Sequence, residues 1–153
     1  IKVIKEFIDS GKPFMGICLG MQLLFSKSEE FDECEGLGLI DGSVIGFANY
    51  NLSVSVPHVC WNSIINQNIK GHNYSITSSN FKLVEDYYYF VHSFFVKPVN
   101  KDIIFTTTRY GDLEFCSSIL NRNVFACQFH PEKSGIKGVR IFHDFFKGEN
   151  NEL

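Results

Sequence analysis

The sequence predicts an α/β protein, a sheet flanked by helices and carrying an added β-rich layer, in one domain over residues 1–153. Three observations lead there. The chain opens with a helix–strand–helix alternation. A long strand-rich middle follows, punctuated by Gly, Asn, Asp and Pro, and one amphipathic helix closes the chain. With 153 residues, 44% of them hydrophobic, the chain can bury a core without disulfides or a structural metal.

Val3, Ile4, Phe7 and Ile8 recur at helical spacing and predict a helix over residues 1–10. Ser10-Gly11-Lys12-Pro13 ends it. Phe14 to Ile17 is apolar throughout, as expected of a parallel strand buried on both faces. A helix is expected from Met21 to Lys27, then an exposed loop over 29–43, rich in acids and glycines. Short strands are expected at 39–40, 43–47, 52–56, 74–76, 87–91, 103–107, 115–119 and 124–129. Gly135 to Phe146 is the closing helix, with Val139, Phe142, His143 and Phe146 on one stripe.

Several classes are disfavoured. Net charge is −3, which speaks against a nucleic-acid partner. No run approaches the ~18 apolar residues that span a membrane. The five cysteines form no CxxC pair, so neither a disulfide scaffold nor a zinc knuckle is expected, and a reducing cytoplasm fits. No metal and no cofactor are called for. Cys34, Cys60, Cys116 and Cys127 read as small buried apolar side chains. The chain opens on Ile1, inside a helical pattern, so an N-terminal part is expected to be missing.

Gly16-Ile17-Cys18-Leu19-Gly20 follows the apolar strand and precedes a helix. It has the G-x-nucleophile-x-G form of an elbow, with cysteine in the nucleophile place. A sharp strand-to-helix turn projects its middle side chain clear of the sheet. The glycines leave room where a Cβ would collide with backbone. The helix N-terminus favours a thiolate, and the Leu19 N–H can donate to an oxyanion. A Gly-flanked turn around an inert buried cysteine would give the same five residues.

A thiol nucleophile needs a base, and the base an orienting group. Gln128-Phe129-His130-Pro131-Glu132-Lys133-Ser134 supplies both. His130 is the candidate base. Glu132, two residues on in an extended segment, falls on the same side and can accept the other imidazole N–H. Taken singly, each is compatible with an ordinary histidine and a solvated carboxylate. Both motifs follow apolar strands, so both can sit at one carboxyl edge of a sheet.

Together, Gly-Ile-Cys-Leu-Gly-Met-Gln and Gln-Phe-His-Pro-Glu-Lys-Ser resemble the class I, triad-type glutamine amidotransferases. Within that family the chain is most similar to the glutaminase subunits of imidazole glycerol phosphate synthase. Val56-Pro57-His58 with Trp61-Asn62, Tyr89-Phe90-Val91-His92-Ser93, Thr108-Arg109-Tyr110-Gly111 and Gly36-Leu37-Gly38-Leu39-Ile40 carry this narrower match. The resemblance implies a flavodoxin-like three-layer fold. It further implies L-glutamine as substrate and a (β/α)₈-barrel cyclase as heterodimer partner in histidine biosynthesis. Cys18, His130 and Glu132 become the triad, and Leu19 an oxyanion donor. Gln22, Glu30, Ser93 and Phe94 are implied to bind substrate, and Trp61, Asn62 and Lys133 to face the partner.

The chain departs from the family at two places. Phe94 stands where Tyr is frequent, and Cys60 where Gly is usual. The family also carries a further ~60 residues before the elbow, the size of the first βαβ units, including a Gly-rich loop with a second oxyanion donor. The 153-residue piece alone is therefore expected to be poorly soluble or inactive. Three other functions remain open: a paralogous glutaminase for bacterial surface-saccharide amidation, a cysteine peptidase or γ-glutamyl hydrolase on a related fold, and a non-catalytic subunit.

Overall fold

The β-branched and aromatic runs of this chain form a sheet covered on both faces. The computed structural model describes residues 2–67 and 81–146. The helices are α1 (Lys2–Asp9), α2 (Leu19–Gln22) and α3 (Gly135–Phe146). The strands are β1 (Phe14–Ile17), β2 (Phe25–Ser28), β3 (Cys34–Glu35), β4 (Ile40–Gly46), β5 (His58–Ser63), β6 (Ile65–Asn66), β7 (Tyr87–His92), β8 (Phe94–Pro98), β9 (Ile104–Tyr110), β10 (Leu113–Asn121) and β11 (Val124–Cys127). The expected strand at 74–76 lies outside the described residues.

Among the described residues, nine strands form one mixed sheet in the order β1-β11-β10-β8-β4-β2-β3, with β9 on β10 and β6 on β9. β5 and β7 form a separate antiparallel pair, the expected additional β layer. Alternation sorts the core to the two faces. Phe125 and Cys127 of β11 join Phe47, Tyr88, Phe90, Phe129, Ile141 and Phe145 beneath the β5–β7 pair and α3. Val124 and Ala126 join Ile8, Met21, Leu24 and Phe25 on the side of α1 and α2. Asn123 ties α1 down, its Nδ2 donating to the carbonyls of Ile8 at 2.8 Å and Lys12 at 2.7 Å.

Several sequence expectations are corrected. The helix expected from Met21 to Lys27 stops at Gln22, and Phe25 to Ser28 is a strand. The carbonyls of Leu23, Leu24, Phe25 and Ser26 accept from the amides of residues 36–40 rather than from a next helical turn. The loop expected over 29–43 accordingly contains β3 and the start of β4. Leu52 to Val56 is not a strand. It lies over the β9–β10 turn, where the Tyr110 hydroxyl donates to the Ser55 carbonyl at 2.6 Å. Neither β5 nor β8 was expected.

Two helical faces also differ. In α3 the buried positions are Gly138, Ile141 and Phe145, whereas Val139 and Phe146 face solvent. Pattern alone could not choose between two overlapping apolar stripes, and contact with Phe81 and Phe125 selects Phe145. In α1, Ile8 is buried while Val3, Ile4 and Phe7 are exposed. No helix among the described residues is long and apolar enough to cross a membrane.

Candidate active site

The elbow forms where β1 ends. β1 runs parallel to β11 with Ile17 opposite Cys127, and the Cys18 N–H donates to the Cys127 carbonyl at 2.8 Å. Cys18 then takes a positive φ, 50° with ψ −107°, an arrangement a β-carbon normally avoids. Its carbonyl accepts the amides of Met21 and Gln22, which begins α2. The glycines do unequal work. A Cβ on Gly16 would stand 2.9 Å from the Gly20 carbonyl oxygen, whereas a Cβ on Gly20 would meet nothing within 4 Å. The steric demand expected of both glycines therefore falls on Gly16.

The Cys18 thiol is half-buried, and burial pushes its pKa up. Hydrogen bonding from the Leu19 N–H and from Gln128 opposes this, and the carboxylates of Glu132 and Glu30 add to the rise. The expected thiolate-favouring effect of the helix start is thus outweighed. Gln128 Nε2 donates to Cys18 Sγ at 3.4 Å, and the thiol faces the Val91 carbonyl at 4.0 Å. A thiol raised in this way needs a base. Of the other cysteines, Cys116 and Cys127 are buried as expected, Cys60 is intermediate, and Cys34 is exposed.

His130 follows β11, the strand beside β1. Its N–H donates to the Tyr89 carbonyl at 2.9 Å, and its carbonyl accepts the Ser134 hydroxyl at 2.6 Å. Ser134 also accepts the Tyr89 N–H at 3.0 Å, so β7 grips the segment at both of these residues. His130 itself is extended, φ −102° and ψ 95°, but Pro131 to Lys133 form a 3₁₀ turn rather than the extended chain expected. Glu132 still reaches back, with Oε1 2.6 Å from His130 Nδ1. A carboxylate only accepts, so Nδ1 carries the hydrogen and Nε2 offers its lone pair. That Nε2 is buried and has no hydrogen-bond partner among the described residues. No hydrogen bond joins it to Cys18.

The substrate-side candidates divide. Gln22 is buried, its Nε2 donating to the Phe94 carbonyl at 3.1 Å and to Gln128 Oε1 at 3.0 Å. Ser93 is the bend between β7 and β8, and its carbonyl accepts the Phe47 N–H at 2.9 Å. Gln22, Phe94 and Cys18 therefore belong to one connected group. Glu30 is partly exposed and acts on Cys18 through its charge alone.

The partner-side candidates divide as well. Trp61 is exposed on the outer face of the β5–β7 pair, with its ring 6.2 Å from Tyr89. Lys133 lies over Tyr89 at 5.7 Å and Lys137 over Trp61 at 5.8 Å, both within cation–π range. Asn62 instead points inward, bonded to His58 and to the Arg109 carbonyl. Sequence reasoning missed Gln128, Ser134 and Tyr89 as parts of this site. All three stand in motifs it quoted, but only strand register gives them a role.

Fold and site together define an α/β protein with a cysteine on a strand-to-helix elbow and a His–Glu pair at the neighbouring strand end. A family model described as glutamine amidotransferase class-I matches residues 1–148, and the chain belongs to that family. It is 45% identical to the imidazole glycerol phosphate synthase subunit HisH of Caldanaerobacter subterraneus subsp. tengcongensis, covering 93% of this chain and 65% of that one. It is 44% identical to subunit HisH of Pyrococcus furiosus, covering 94% of this chain and 69% of that one. The chain thus spans about two thirds of these relatives' length.

Solved structures agree on the fold. A glutamine amidotransferase from Thermotoga maritima superposes with a TM-score of 0.56 at 18% identity, over 97% of this chain and 52% of that one. A putative GMP synthase protein from Thermoplasma acidophilum gives 0.54 at 18% identity, over 95% of this chain and 61% of that one.

Proposed function

We propose that this chain forms the glutaminase centre of an imidazole glycerol phosphate synthase. In this reading it hydrolyses L-glutamine to glutamate and ammonia and passes the ammonia to a (β/α)₈-barrel cyclase partner in histidine biosynthesis. The observation that carries the chemistry is the pairing of Cys18 on its strained elbow with His130–Glu132 at the end of the adjacent parallel strand. The relatives named as subunit HisH support the pathway.

The steps follow from the groups available. His130 Nε2 takes the Cys18 proton as Sγ attacks the side-chain amide carbon of glutamine. The oxyanion meets the Leu19 N–H. His130 returns the proton to the amide nitrogen, ammonia leaves, and a γ-glutamyl thioester remains. Water, losing a proton to His130, attacks the thioester. Glutamate departs as the proton returns to Sγ. Glu132 holds His130 in the tautomer that starts each step. Gln22, Glu30, Ser93 and Phe94 hold the substrate, and the outer face carrying Trp61 and Lys133, with Asn62 behind it, receives the partner.

A glutamine-like electrophile added to the full-length protein tests the chemistry. Mass spectrometry is expected to find the adduct on Cys18. Labelling of Cys116 or Cys127, whose thiols burial pushes up, would overturn it. Complementation of a histidine auxotroph tests the pathway. Failure with soluble expression would count against histidine biosynthesis and leave the surface-saccharide paralogue as the alternative, which the Cys60 departure keeps open.

A further inference from the structure

A buried chain of hydrogen bonds reaches the site from β5. His58 opens β5, His92 closes β7, both are buried, and they are register partners. His58 Nδ1 lies 2.9 Å from His92 Nε2. His92 Nδ1 lies 2.8 Å from the Phe94 carbonyl oxygen. His58 Nε2 lies 3.2 Å from Asn62 Nδ2.

The direction of every bond in this chain is forced. A carbonyl only accepts, so His92 Nδ1 carries a hydrogen. In a neutral ring Nε2 is then an acceptor, and it takes the hydrogen of His58 Nδ1. That leaves His58 Nε2 to accept from Asn62. Asn62 is oriented independently, since Nδ2 also donates to the Arg109 carbonyl at 2.9 Å and Oδ1 accepts the Ser63 N–H at 2.8 Å. The two ends agree on one tautomer for each ring. A second proton on either ring would set N–H against N–H. Burial acts the same way, lowering His58 to about 4 and His92 to about 3.

The chain ends at the thiol. The Phe94 oxygen that accepts from His92 also accepts from Gln22 Nε2. Gln22 donates to Gln128, and Gln128 donates to Cys18 Sγ. The neighbouring Ser93 carbonyl is held by the Phe47 N–H. The bend between β7 and β8 is thus fixed at both of its carbonyls. Packing alone does not require imidazoles here. His58 stacks on Phe90 and lies close to the tilted Tyr110 ring, and Phe47 and Phe115 approach both imidazoles, so an apolar ring would fill the same space.

We propose that His92, held in one tautomer by His58, is a positioning residue that fixes the Phe94 carbonyl and, through Gln22 and Gln128, aligns glutamine with Cys18. The inference deepens the glutaminase reading and rests on it.

Steady-state glutaminase kinetics of the full-length protein with its partner test this, alongside alkylation of Cys18 by iodoacetamide. His92→Leu is expected to raise the KM for glutamine about tenfold, the effect of one lost directed hydrogen bond. Iodoacetamide labelling is expected to change less than about threefold. His92→Asn, which keeps a donor near the Nδ1 place, is expected to return the KM to within about threefold of wild type. Imidazole ¹⁵N shifts of the wild-type protein are expected to show His92 as the Nδ1–H tautomer, which needs no variant to fold. An Nε2–H tautomer, an unaltered KM in His92→Leu, or equal losses in both variants would overturn the inference and leave the glutaminase reading intact. A wild-type protein without glutaminase activity would overturn both.

Discussion

Glu132 Oε1 lies 2.6 Å from His130 Nδ1, and the opposite ring nitrogen is buried without a partner among the described residues. One contact therefore sets both the tautomer and the free lone pair of the candidate base. Glu132→Gln is expected to lower kcat by ~10²- to 10⁴-fold with little change in KM, because an amide can present N–H to the ring and favour the wrong tautomer. Stopped assays of glutamate release check this, and a variant within about threefold of wild type would exclude the orienting role.

Gln128 donates to Cys18 Sγ, a bond that favours the thiolate. Its removal leaves burial and the two carboxylates less opposed. Gln128→Leu is expected to shift the pH midpoint of iodoacetamide labelling at Cys18 upward. The labelling rate against pH is the measurement, and an unchanged or lower midpoint would contradict the assignment.

Gly138 lets α3 rest against the segment that carries His130. A Cβ there would collide with the Pro131 carbonyl and crowd the Ser134 Cβ. Neither can move without displacing the 3₁₀ turn that holds Glu132. Gly138→Ala is expected to cost about 1–3 kcal/mol, a fall of roughly 2–12 °C in Tm, and to reduce kcat as well. Calorimetry with parallel kinetics tests it, and a Tm and kcat equal to wild type would show that α3 adjusts freely.

The paired histidines make stability depend on pH in a fixed direction. Both are neutral when folded, with pKa values lowered from 6.5 to about 4 and about 3, first by burial. For His92 the charges of His58 and His130 add to the lowering, while the Phe94 carbonyl opposes it. The unfolded chain takes up protons first as pH falls, so it is favoured there. Full stability is expected above pH about 6.5, with progressive loss toward about 4 for His58 and about 3 for His92. Urea unfolding across this range is expected to show a shallower pH slope in a His58→Gln, His92→Asn double variant. Identical slopes would sever the link.

Much of the site was legible because its signals are local. Gly16 to Gly20 encode a turn whose strain is confined to Cys18, and His130 to Glu132 encode a contact across two residues. Adjacent residues fix each other's geometry through backbone sterics, whatever the remainder of the chain does. The opening strand, the strand-rich middle and the bounds of the closing helix were legible for the same reason.

The rest depended on which segments meet. Residues 23–26 form a largely apolar run that suits helix or strand equally, and the amides of residues 36–40 hold 23–24 in a turn and start the strand at Phe25. The buried face of α3 follows from its packing on Phe81 and Phe125, not from its own periodicity. Gln128 reaches Cys18 only because β1 and β11 are parallel and in register. The chain from Asn62 through His58, His92 and Gln22 to that thiol joins separate elements, and a hydrogen bond between distant residues leaves no periodicity in a sequence. By itself, then, the sequence determined the candidate nucleophile, the candidate base and the acid placed to orient it. Tertiary structure decided what holds them, because register and burial arise only when distant segments share one core.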